Sequence, residues 1–160
     1  MSIEPFETAE AEDFPAVVQL SVFIDERVGQ LLRLTRIFDD TDIRIWGLMV
    51  VNSVDCAIVR MVVDDPVEAG RVLTDNRFPY KETEILVVRL RHGKRALLSL
   101  WSAMLGAEIN VHYTYALLGH SHGQPTIAIQ ADNISMACEA LQDRRFEVLG
   151  ESDLRSERHG

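Results

Sequence analysis

A chain of 160 residues, 47% hydrophobic and 26% charged, has room for one ordinary domain or two small ones. At this size about 70% of the unfolded surface is buried without disulfide or metal staples. The net charge of −9 argues against a nucleic-acid binder, which needs a basic face, and no apolar run approaches the roughly 18 residues of a membrane-spanning helix. The acidic N-terminus does not read as a secretory signal, so the expectation is a cytoplasmic globular chain. Cys56 and Cys138 are far apart and read as two buried thiols in a reducing compartment, with a disulfide as the alternative.

In chain order, residues 1–15 are acidic, carry Pro5 and Pro15, and read as a loosely held end. Residues 17–24, rich in Val and Ile, predict a strand. Val28, Leu31, Leu32, Thr35 and Phe38 recur at helical spacing and predict a helix. Residues 43–52 and 57–64 predict two strands joined by a turn at 52–55. Asp65 before Pro66, with Glu68 two residues on, combines an N-cap, proline in the first turn and a carboxylate placed to reach back. The helix through Asn76 is expected to bury Ala69, Val72 and Leu73, and a strand at 81–90 closes the unit. A second series follows: a helix with Leu97, Leu100, Trp101, Met104 and Leu105 on one face, strands at 110–118 and 126–131, a helix near 135–144 and a strand at 146–150.

The two series are copies. A shift of 66 residues places Leu20, Val22 and Ile24 on Leu86, Val88 and Leu90, Leu34 on Leu100, Phe38 on Met104 and Ile43 on Ile109. A shift of 68 then places Asp64 on Asp132, Ala69 on Ala137, Leu73 on Leu141, Arg77 on Arg145 and Phe78 on Phe146. The two extra residues belong in the polar stretch Gly119-His-Ser-His-Gly-Gln124, where an insertion is tolerated.

Each copy therefore reads βαββαβ. The simplest fold is α+β: two ferredoxin-like units side by side, each an antiparallel sheet with its helices on one face. The expected divisions are a flexible segment at 1–15, a first unit at 16–84, a second at 85–150 and a polar tail at 151–160. No linker separates Phe78 from Ile85, so one strand is expected to run from the first unit into the second. The helix-free faces stay partly apolar around Ile58, Val62 and Tyr113. The sheets are expected to merge, with dimerisation covering what remains exposed.

Over about residues 17–154 the chain resembles tandem ACT-domain proteins, a family of amino-acid-binding regulatory modules. Three stretches carry the likeness: Asp25-Glu-Arg-Val28-Gly29-Gln-Leu31 at the strand-to-helix loop, Ala107-Glu-Ile109-Asn110-Val111-His-Tyr113 at the second strand, and Asp64-Asp-Pro66-Val-Glu-Ala69 with Ala137, Leu141 and Arg145-Phe146 at the second helix and its exit. Val28 replaces the family's usual proline. In the second copy Lys94 and Arg95 stand where the first has Val28 and Gly29, so that loop reads either as a degenerate site or as one offering charge to an acidic ligand.

The resemblance implies a small ligand between the loop of one unit and the second strand of its neighbour. By position this pairs Asp25, Arg27, Val28, Gly29, Gln30 and Leu31 with Asn110, His112 and Tyr113, and the loop at 91–97 with Arg44 and Trp46. Helix-start amides would meet a ligand carboxylate, Asn110 offers a donor and an acceptor, and Asp25 suits an ammonium. The plainer alternatives are that Gly29 makes a tight turn and Asn110 caps a strand. His92, His112, His120 and His122 lack convergent zinc geometry, and they read as solvated loop residues. No cofactor is expected, and no GxSxG, Walker or dinucleotide motif points to catalysis.

The implied function is a non-catalytic, amino-acid-sensing homodimer whose output passes to another chain, a biosynthetic enzyme such as acetolactate synthase. The alternatives are a structural dimerisation module without ligand, or a small enzyme on a ferredoxin-like scaffold.

Overall fold

The computed structural model describes residues 14–157, so nearly all of the acidic N-terminal segment lies outside the described residues. The first unit runs β1 (Val17–Ile24), α1 (Gln30–Arg36), β2 (Ile45–Asn52), β3 (Ala57–Val63), α2 (Pro66–Asp75) and β4 (Tyr80–Arg89). The second reuses β4 and continues through α3 (Ala96–Gly106), β5 (Val111–Ser121), β6 (Gln124–Ala131), α4 (Ile134–Asp143), β7 (Glu147–Leu149) and α5 (Glu151–Ser156).

β4 is the strand shared by the units. Its first half, Tyr80 to Ile85, pairs antiparallel with β1, and its second half, Leu86 to Arg89, pairs with β6 and β7. The first unit has the spatial order β2-β3-β1-β4 and the second β5-β6-β4-β7, the split-βαβ order in both.

Local signals repeat with the offset. Asp65 accepts a hydrogen bond from the Glu68 N–H at 3.1 Å, and its equivalent Asn133 accepts one from Met136 at 3.0 Å. The Glu68 carboxylate does not reach back as expected; it pairs with Arg71 instead. Both helices end on an arginine in the left-handed region, Arg77 and Arg145, each at φ 61°. In each case the next N–H returns to the last turn, Phe78 to Leu73 and Phe146 to Leu141, both at 2.9 Å, which satisfies otherwise orphaned carbonyls. The extra two residues fall in the β5–β6 hairpin, where His122 and Gly123 both take positive φ, as a two-residue type I′ turn requires.

Equivalent positions bury alike. Leu20, Val22, Leu34, Phe38, Ala69, Leu73 and Phe78 form the first core, and Leu86, Val88, Leu100, Met104, Ala137, Leu141 and Phe146 the second. Two expected helix faces differ from this pattern. On α3 the buried residues are Leu100, Ala103 and Met104, while Leu97 and Leu105 are 47% and 79% exposed. On α1 Leu34 is buried, and Leu31 and Leu32 face out. Helices apolar on several sides do not reveal by periodicity alone which stripe meets the sheet.

A third cluster lies where the two helix-free faces meet: Val17, Trp46, Val62, Ile85, Val87, Tyr115, Leu117, Ala128, Leu149 and Leu154. β2 and β5 pack here without pairing. The approach is close because glycines stand opposite bulk. A Cβ on Gly47 would lie 2.7 Å from Leu117 Cδ2, and one on Gly119 would overlap the Trp46 ring. The apolar helix-free faces expected around Val62 and Tyr113 thus cover each other within the chain, Val62 fully buried and Tyr113 half-buried. The polar tail is also part of the body. Residues 151–156 form α5, which buries Leu154, and Arg155 Nε donates to the Asp64 carbonyl at 3.1 Å. No helix among the described residues is long and apolar enough to cross a membrane.

Candidate functional site

The loop after β1 turns sharply before α1. The Arg27 N–H donates to the Asp25 carbonyl at 2.9 Å and Gln30 to Arg27 at 3.3 Å. Gly29 then takes φ +88° as the N-cap of α1. A Cβ there would meet nothing within 4 Å. Glycine is therefore required by backbone conformation, rather than by a crowded neighbour.

Beside this loop is a cavity of about 220 Å³, lined among others by Asp25, Gln30, Arg33, Cys56, Arg77 and Phe78. Asp25 and Gln30 come from the predicted site; the other lining residues come from the end of β1, α1, the β2–β3 turn and the α2–β4 turn. Arg33 is held in place from two sides: Nη2 donates to the Asn76 carbonyl at 3.2 Å and the guanidinium lies 4.5 Å from the Phe78 ring centroid. One acidic and two basic residues, Asp25, Arg33 and Arg77, thus line a volume below the roughly 300–1,000 Å³ of drug-sized sites. Of the remaining loop residues, Arg27 stands 3.9 Å from Asp25 in an exposed pair, and Val28 and Leu31 are exposed.

Asn110, His112 and Tyr113 lie in the second unit and do not line this cavity. The main chain of Asn110 makes two hydrogen bonds with Asp132, its N–H donating to the side-chain Oδ1 at 3.2 Å and its carbonyl accepting the Asp132 N–H at 3.1 Å. Arg44 and Asp64, the equivalent pair, do the same at 2.9 and 3.1 Å, so this bracket fixes the start of the second strand in both units. His112 Nδ1 shares a 2.7 Å hydrogen bond with Gln130 Oε1 on the exposed side. Tyr113 belongs to the seam: its hydroxyl accepts from Gln19 Nε2 at 2.7 Å, and the Arg60 guanidinium sits 4.0 Å from its ring centroid.

The second loop likewise has its own cavity, lined by residues of the second unit that include Arg91, Arg95 and Phe146. Arg44 and Trp46 do not border it. Trp46 is buried in the seam with the Arg44 guanidinium 5.4 Å from its ring centroid. Each cavity is therefore built within one unit. Meeting through the helix-free faces turns the loops of one unit away from the second strand of the other.

Arg33 and Arg77 escaped the sequence reading because they belong to a helix and a helix exit, not to the loop motif. The repeated Arg-Phe pairs, Arg77-Phe78 and Arg145-Phe146, were the available signal. The thiols also separate: Cys138 is buried, and burial pushes its pKa up, whereas Cys56 is half-exposed at the cavity, not buried as expected. Both are free.

Comparison with known proteins agrees with this architecture. A protein from Bacteroides thetaiotaomicron superposes with a TM-score of 0.80 at 23% identity, covering 89% of this chain and 97% of that one. The ligand-free regulatory subunit of aspartate kinase from Thermus thermophilus superposes at 0.56 and 12% identity, covering 83% and 95%. The regulatory subunit from Thermus flavus gives 0.51 at 12%, covering 82% and 93%. At these identities the likeness concerns the fold. No curated protein matches in sequence. The family model described as an ACT domain pair matches residues 15–157, which takes in both units and α5, and the chain belongs to that family.

Proposed function

We propose that the chain is a non-catalytic regulatory module whose first-unit cavity takes a small free amino acid. The observation that carries this reading is the presence of both charges in the lining of one small cavity, Asp25 together with Arg33 and Arg77. An α-amino acid is the matching zwitterion, its ammonium toward Asp25 and its carboxylate toward the guanidiniums, which recognise carboxylates through paired N–H groups. Membership in a ligand-binding regulatory family supports the reading. α1 has only seven residues, so its dipole plays a smaller part than the side-chain charges.

A ligand held between the 25–30 loop and the α2–β4 turn favours the arrangement in which the two are closed on each other, and the difference in affinity sets how far a partner's activity can shift. The partner class implied by the resemblance is an enzyme of amino-acid biosynthesis, acetolactate synthase among them, acting with this chain as a dimer. A thermal-shift screen of the twenty amino acids tests the reading. A ligand at 100 times its Kd adds about 2.7 kcal/mol, or roughly 5–10 °C for a chain of this length. A flat response to all twenty rejects it.

A second reading, a structural dimerisation module without ligand, is favoured by the outward side of α3, where Leu97, Leu98 and Leu105 are 47%, 56% and 79% exposed. Leu98→Lys with Leu105→Lys should then convert a dimer to monomer in light scattering, with no dependence on any amino acid.

A further inference from the structure

The two cavities differ in charge because the repeat exchanges two residues. By the 66-residue offset, Asp25 and Arg33 of the first unit correspond to Arg91 and Ser99 of the second. Both units keep a guanidinium over the phenylalanine at the helix exit. In the first it is Arg33, reaching from α1. In the second it is Arg91, reaching from the β4–α3 loop: Nη2 donates to the Arg145 carbonyl at 2.7 Å, and the guanidinium lies 5.6 Å from the Phe146 ring centroid. Moving the cation from helix to loop removes the carboxylate and leaves a hydroxyl in the arginine's place.

The resulting cavity, about 480 Å³, is lined by Arg91, Arg95, Ser99, Ser102 and Arg144 beside Leu98 and Phe146, with no carboxylate among the described lining residues. Arg95, Ser99 and Ser102 follow one another along one face of α3, and Arg144 comes from the end of α4. Arg144 Nη2 packs so closely over Gly106 that a Cβ there would lie 2.9 Å from it, which sets this cation against α3. Three arginines line this one cavity in a chain of net charge −9, a local excess of positive charge that favours an anion. No acidic side chain of the cavity wall supplies the negative charge.

We infer that the second-unit cavity is a binding site for a small doubly charged oxyanion, a phosphate monoester or a dicarboxylate. It is distinct from the first-unit cavity and stands whether or not that one binds an amino acid. Arg91 is already committed to the helix exit and shapes the floor, while Arg95 and Arg144 supply the charge-assisted hydrogen bonds, with the serine hydroxyls between them. A singly charged carboxylate leaves part of the cation cluster unneutralised and binds more weakly.

The test titrates the full chain with inorganic phosphate, succinate and acetate at constant ionic strength, following Trp101 fluorescence and thermal midpoint. Saturable binding of phosphate or succinate, with acetate much weaker, is expected. Arg95→Ala and Arg144→Ala should each weaken it by about 10-fold or more, the loss of a charged hydrogen bond, while Arg71→Ala on α2, outside both cavities, leaves it unchanged. Phosphate binding alone assigns the phosphate-ester class, and succinate binding alone the dicarboxylate class. A non-saturable response shared equally by acetate, or binding that survives both Arg95→Ala and Arg144→Ala, overturns the site. Circular dichroism of the variants confirms that they fold.

Discussion

The Tyr115 hydroxyl donates to Gln19 Oε1 at 2.7 Å across 96 residues of chain, and the same amide donates through Nε2 to the Tyr113 hydroxyl at 2.7 Å. Gln19 is fully buried. This bridge ties β1 of the first unit to β5 of the second at the middle of the seam, where an unpaired amide or phenol has no access to water. Gln19→Leu strands the Tyr115 hydroxyl and should cost about 1–3 kcal/mol, a fall in midpoint of roughly 2–4 °C per kcal/mol. Urea denaturation of Gln19→Leu, Tyr115→Phe and the double variant checks it: the double should cost less than the sum of the singles.

The same phenol makes stability depend on high pH. Burial foremost, and then the adjoining Tyr113, raises the Tyr115 pKa, with Arg60 offsetting part of the rise. A raised folded-state value means that the stabilisation is whole below the unfolded value of about 10 and declines as pH climbs above it. The slope is at most about 1.4 kcal/mol per pH unit. Denaturation curves between neutral pH and strongly alkaline pH should show wild type losing stability faster than Tyr115→Phe.

Close packing between the sheets depends on Gly119 facing Trp46. Gly119→Ala puts a methyl into the indole of a fully buried side chain and should cost about 1–3 kcal/mol by overpacking. Trp46→Phe frees room and removes an indole N–H that is buried without a partner among the described residues. In the Trp46→Phe background, Gly119→Ala should therefore cost less, a coupling measurable by thermal denaturation.

Backbone conformation makes the same left-handed demand at two positions, met by a glycine at one and by a side-chain-bearing residue at the other. Gly29 takes φ +88° and Glu108, after α3, takes φ 56°. Gly29→Ala should destabilise by about 1–2 kcal/mol although no atom obstructs the new methyl, because the left-handed region costs an L-residue about that much. Glu108→Gly should be neutral to about 1 kcal/mol stabilising, the strain relieved outweighing the added freedom of the unfolded chain. Midpoints of the two variants moving in the same direction would contradict this.

Much of the fold is legible in the sequence because its signals are local. The Asp65-Pro66 cap, the run of residues into β4 and the 66- and 68-residue offsets require only spacing, and the equal burial of Leu34 and Leu100, or Leu73 and Leu141, follows from them. The seam is not local. Nothing near Gln19 or Tyr115 in sequence points to the other, and the choice of buried stripe on α3 depends on where the sheet lies, not on the helix's own periodicity. α5 escaped for a similar reason: in a polar segment one apolar side chain, Leu154, decides the docking. The loop of the site was visible, through Gly29 and Asp25. Arg33 and Arg77 were not, because only the folding of α1 and the α2–β4 turn against each other brings them to the same cavity.

Recognition of an amino-acid zwitterion by the first-unit cavity, as proposed, depends on Asp25 together with Arg33 and Arg77. Titration calorimetry of the amino acid giving the largest thermal shift, run on wild type and on Asp25→Ala, tests it most directly. Asp25 is exposed, and its loss should leave the fold intact while weakening binding by about 10-fold or more through the lost ammonium contact. Equal affinity in the two proteins would contradict the account.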